Sequence, residues 1–104
     1  MTLTDPLPTA AAEAVVPLAG EIDVSSAPRL RAELHGRIDV GTQNLVLDVS
    51  ELAFIDSAGL GVIVGAARRL RDERSGSVVL RGVQPQLLRV LRLTRLDHVF
   101  EIES

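Results

Sequence analysis

The stretch "NLVLDVSELAFIDSAGLGVIVGAARRL", residues 44–70, begins with one period and ends with another. Its first six residues crowd Leu45, Val46, Leu47 and Val49 together, the mark of a strand buried on both faces and therefore interior to a sheet. Beyond "SELAFI" the apolar residues fall at helical spacing, with Leu60, Ile63, Ala67 and Leu70 on one face. An interior strand that feeds a helix directly is the unit from which α/β folds are built.

The junction itself is unusual. Asp56 and Ser57 stand at the expected helix start, where either side chain can accept a hydrogen bond from the first unpaired amides. Gly59, Gly61 and Gly65 follow, each costing roughly 1 kcal/mol against alanine in a helix interior. Capping alone gives no reason for three such losses. A bare strip of backbone beside an exposed hydroxyl, with Leu60 between two glycines, gives one: another protein can approach there.

Working outward, "EAVVPLAGEID" predicts a first strand through Val15, Val16 and Leu18, with Pro17 confining it to an edge or breaking it and Gly20 marking a turn. Ser25 or Ser26 can cap a helix over 26–37, in which Pro28 suits the first turn and Ala27, Leu30, Leu34 and Ile38 share a face. After the central helix, expected over 57–73, "VVLRGV" supplies another strand. Pro85 opens a third helix over 84–93, with Leu87, Leu88, Val90 and Leu91 directed inward, and "HVFEI" closes as a short strand. These elements predict a single α/β domain over 13–104 whose mixed sheet has four or five strands. Residues 1–12, with Pro6 and Pro8, read as a flexible arm or a weak edge strand.

Composition removes whole classes of function. The 104 residues include no cysteine, so disulfides and thiolate metal sites are excluded, and His35 and His98 belong to no ligand cluster. No metal or cofactor is expected. A net charge of −3 with only two aromatic residues argues against nucleic acid as a direct partner. All eleven basic residues are arginines, which leaves no lysine for a Schiff base or a phosphate-binding loop. No signal-like N-terminus or membrane-length apolar run is present, so a cytoplasmic chain without membrane attachment is expected. Ser57 lacks the G-x-S-x-G setting of a hydrolase nucleophile, and "GLGVIVG" lacks the spacing of a dinucleotide loop. A nucleotide-binding or hydrolytic protein is thus the weaker alternative, and no enzymatic activity is expected.

Over residues 13–103 the chain resembles the STAS-domain anti-sigma factor antagonists of bacteria. The resemblance rests on "LAGEID" at 18–23, "APRLRAEL" at 27–34, "LVLDVSELAFIDSAGLGVIVGA" at 45–66 and "VVLRGVQPQLLRVLRLTRLDHVFEI" at 78–102, with "DSAGLG" the specific signal. It implies a partner switch. The unmodified antagonist binds an anti-sigma factor that is also a serine kinase, freeing a sigma factor; the kinase phosphorylates the residue matching Ser57, and a serine phosphatase reverses the modification. It further implies partner contacts at Glu21 and Asp23, and at Asp56, Ala58, Gly59, Leu60 and Gly61 on the helix start, with the free chain monomeric. Ala58 stands where the family often carries a second hydroxyl, leaving Ser57 as the acceptor in the motif. Docking on a transporter ATPase or another assembly, with Ser57 unmodified, is the alternative within the same fold.

Overall fold

The computed structural model describes residues 13–103. Strands and helices alternate: β1 (Glu13–Ile22), α1 (Ala27–Asp39), β2 (Asn44–Ile55), α2 (Ser57–Arg74), β3 (Ser77–Arg81), α3 (Pro85–Leu93), a 3-10 turn (Leu96–His98) and β4 (Glu101–Glu103). The sheet order is β1-β2-β3-β4, and all three pairings are parallel. A mixed sheet was expected; among the described residues every pair runs the same way, because a helical crossover returns the chain to the starting end each time. The arm or fifth strand expected over 1–12 lies outside the described residues.

Register sorts the strand residues into two faces. Val16, Leu47 and Leu80 align across the sheet and join one buried cluster with Leu30, Leu34 and Ile38 of α1, Val62, Ile63 and Leu70 of α2, and Leu91 of α3. All three helices therefore pack on this face, as right-handed crossovers between sequential strands require. Val15, Val46 and Val79 align on the other face, outside that cluster. Interior β2 is buried at Leu45, Val46, Leu47 and Val49, as its apolar run requires.

Several boundaries differ from the sequence reading. Gly20 is not a turn: β1 continues to Ile22, with register shifts between Pro17 and Ala19 and between Gly20 and Glu21, and Gly20 takes the positive φ of 71° within the second irregularity. Pro17 does lie on the outermost described strand, where its missing N–H breaks no interior ladder. The strand expected over the six residues of "NLVLDV" runs on through "SELAFI" as the second half of β2, because the extended β1 supplies pairing partners for Glu51, Leu52, Phe54 and Ile55. On α3 only Leu91 is fully buried; Leu87 and Leu88 are half-buried and Val90 is 41% exposed, so its apolar stripe is broader than the core needs. The final strand begins after Phe100, which is itself buried in the core.

Candidate functional site

At the end where β1 and β2 finish, Ile22 and Ile55 stand opposite each other, and the N–H of Asp56 donates to the Ile22 carbonyl at 3.0 Å. The chain leaves each strand into a helix, so the starts of α1 and α2 lie side by side. An aspartate follows each isoleucine, and the two do different jobs. Asp56 is extended and caps α2, its Oδ1 accepting from the N–H groups of Ala58 at 2.9 Å and Gly59 at 3.1 Å. Asp23 folds the turn into α1 instead: its Oδ1 accepts from the Ser25 hydroxyl at 2.6 Å and from the N–H groups of Ser25 and Ser26. Those bonds, the Ser25 hydroxyl first, hold the Asp23 carboxyl below its ordinary range. Ser26 flanks α1 without capping it through its side chain; its Oγ accepts from the Asp23 N–H at 3.0 Å.

Because Asp56 does the capping, Ser57 does not. It occupies the first helical position, is exposed, and its hydroxyl makes no hydrogen bond among the described residues. Glu21 is exposed on β1 opposite Phe54, which brings "GEID" alongside the residues leading to Ser57. Glu21, Asp23, Asp56 and Ser57 thus all lie at the end of the sheet where β1 and β2 finish.

The glycines divide by environment. A Cβ on Gly59 would lie 2.7 Å from Ile55 Cγ1 and 2.8 Å from Ile22 Cγ2, so this buried glycine lets the start of α2 sit directly on the paired isoleucines. Its role is internal packing, and the expectation of three glycines reserved for a visitor is corrected at this position. Gly61 is exposed, and a Cβ there or on Gly65 would meet nothing within 4 Å. Ala58 and Leu60 are half-buried against the core, so each offers a partner only part of its surface.

The arginines near the end of α2 are not all idle. Arg69 donates to Asp39 at 2.6 Å and Glu73 at 3.1 Å and lies 3.0 Å from His35 Nδ1, while Arg74 donates to the Ile38 carbonyl at 2.9 Å, tying α2 to the end of α1. His35 is bonded to a residue twelve positions beyond Ser57, about 18 Å along the helix axis, and cannot be its general base. Among the described residues no group of three or more acidic or histidine side chains could hold a metal, and no helix is long and apolar enough to cross a membrane.

One feature of this end is missing from the sequence reading. Phe54 is 52% exposed and borders an apolar groove with Leu52, Ile55, Leu87 and Val90, between the overhang of β2 and helix α3. The signal for it is the unbroken apolar character of "LAFI", which a loop does not need.

The fold has known relatives. The family model described as STAS domain matches residues 7–104. The anti-sigma-B factor antagonist of Listeria monocytogenes is 37% identical over 89 residues, covering 84% of this chain and 75% of that protein. The crystal structure of an anti-sigma factor antagonist from Mycobacterium paratuberculosis superposes with a TM-score of 0.75 at 31% identity, covering 89% of this chain and 78% of the other. SpoIIAA, an anti-sigma factor antagonist solved in its unphosphorylated form, has a TM-score of 0.71 at 22% identity over 91% of this chain and 81% of its own; its phosphorylated form gives 0.73 at 24%, over 91% and 86%. At those identities SpoIIAA speaks to the fold alone. Parallel strands, an exposed serine at the start of α2 and a family match across nearly the whole chain lead to one conclusion: this protein belongs to the STAS domain family.

Proposed function

We propose that this chain is an anti-sigma factor antagonist, a binding protein without catalysis of its own, that docks on an anti-sigma factor serine kinase through the face around Ser57. Phosphorylation of Ser57 turns it off. The observation that carries the reading is the division of labour at the start of α2: Asp56 satisfies the amides, so the neighbouring hydroxyl is exposed and without structural duty. Gly61 supports it, since the open space around it leaves its cost to the helix with no internal explanation. The relatives' names supply an anti-sigma factor as the partner, and its kinase activity is what the family resemblance implies.

The chemistry of the switch follows from charge. A phosphoserine adds about −1.5 to −2 charges at neutral pH. The helix dipole tolerates an anion at this position, although Asp56 already occupies two of the amides that would otherwise receive it. The fold survives, while the partner meets added bulk and a charge beside Asp56, Asp23 and Glu21. A serine phosphatase restores the binding form, and the chain works in the cytoplasm as a monomer when free. Incubation with the cognate kinase and ATP, followed by peptide mass mapping, tests the site: phosphate is expected on Ser57 and absent from Ser57→Ala, and phosphate on another residue contradicts the assignment.

A further inference from the structure

β2 outruns its neighbour. β3 pairs with residues 44–48 only, so the strand from Val49 to Ile55 has β1 on one side and no strand among the described residues on the other. Exposed strand edges carry unpaired backbone groups that natural proteins cover or charge. Here the cover is one side chain: the amide of Gln84 donates to the carbonyls of Ser50 at 3.1 Å and Leu52 at 2.9 Å, doing with its two hydrogens what a neighbouring strand would do. Beyond Gln84 the edge opens on the apolar groove, about 220 Å³ in volume, lined by Leu52, Phe54, Leu87 and Val90.

We propose that this groove and strand edge form a second part of the kinase-docking surface, receiving a short extended segment of the kinase that adds to β2 and seats an apolar side chain between Phe54 and Val90. The proposal rests on the reading of the Ser57 face as the kinase contact. Three observations select the occupant. Past Leu52 the edge of β2 has neither Gln84 nor a strand beside it among the described residues, and an extended segment can pair with it where a helix, whose amides are used internally, cannot. None of the groove's lining residues is charged, in a chain that is 24% charged, so an apolar segment fits and an acidic or basic one does not. The volume is below the roughly 300–1,000 Å³ of small-molecule pockets, which suits a side-chain anchor. The groove is also continuous with the switch: Phe54 and Ile55 line it, and Asp56 and Ser57 are the next two residues. Contact here gives the kinase a hold on sequence that the phosphate does not directly cover.

The test is calorimetric titration of the cognate kinase with the full chain and with Val90→Glu, Phe54→Ser, Ser57→Asp and Val40→Glu, alongside melting and sedimentation of each free variant. Val90 and Phe54 are half-exposed, so both changes leave melting close to wild type, and both weaken binding at least tenfold. Val40, exposed just past the end of α1 and near the opposite end of the sheet, serves as a control whose charge leaves affinity unchanged. Undiminished affinity in Val90→Glu and Phe54→Ser while Ser57→Asp binds weakly overturns the groove and leaves the switch standing. Undiminished affinity in all three, or no binding by wild type, removes both readings. A change in the free chain's self-association, with kinase affinity intact, makes a second copy the occupant and overturns the proposal.

Discussion

Ile22 and Ile55 face each other at the ends of two parallel strands, and Gly59 rests across both with no room for a methyl group. This contact fixes the height at which α2 leaves the sheet, and with it the position of Ser57 two residues earlier. The site is positioned by packing beneath it.

The two glycines nearest the serine should therefore respond oppositely. Gly59→Ala forces the two isoleucines aside and is expected to cost about 1–3 kcal/mol, the usual range for overpacking. Gly61→Ala, in open space, should raise stability by up to about 1 kcal/mol while weakening kinase binding. Denaturant unfolding of the two variants checks both signs; equal stability contradicts the packing role of Gly59.

Capping offers a second separation. Asp56→Ala removes the acceptor for two amides and should cost about 1 kcal/mol, within the 0.5–2 kcal/mol of measured caps. Ser57→Ala should fall within about 0.5 kcal/mol of wild type, as for a surface residue without a structural partner. A large loss in Ser57→Ala would place the hydroxyl in the fold rather than the interface.

The fold was legible where one signal dominated. Leu30, Leu34 and Ile38 on α1 keep a strict helical period and are buried, and the unbroken run of β2 marks an interior strand correctly. The misreadings share a cause, which is that pairing and packing partners distant in sequence decided the outcome. Gly20 carries a turn-like φ but sits within a strand because β2 continues beside it. Gly59 reads like Gly61 until Ile22, thirty-seven residues away, is brought beneath it. Asp56 and Ser57 are equivalent caps on paper, and the extended backbone of Asp56 separates them.

Acid should weaken the tie between α1 and α2. Burial first, then the charges of Arg69 and Arg31, hold His35 below its ordinary value of 6.5, with Asp39 and Glu73 opposing. A folded-state pKa below the unfolded one means that the unfolded chain binds the proton more readily, so this contribution is present above about pH 6.5 and is lost as pH falls through that region. The lowered carboxyls of Asp23 and Asp48 act further down, their contributions lost as pH drops below the ordinary value of 3.8. Melting temperature followed from pH 7.5 to 5 should decline, and His35→Gln should flatten the slope; an unchanged slope would show that His35 does not couple to folding.

The effect expected of a single phosphate on Ser57 is a change in recognition without a change in the fold. Its most direct measurement is the affinity of the cognate kinase for the unmodified and the phospho-Ser57 chain, by titration calorimetry at one salt concentration, with melting curves of both forms. Overlapping melts and a loss of at least about tenfold in affinity, about 1.4 kcal/mol, are expected; equal affinity of the two forms, or a phospho-form that has lost its fold, would rule out a switch of this kind.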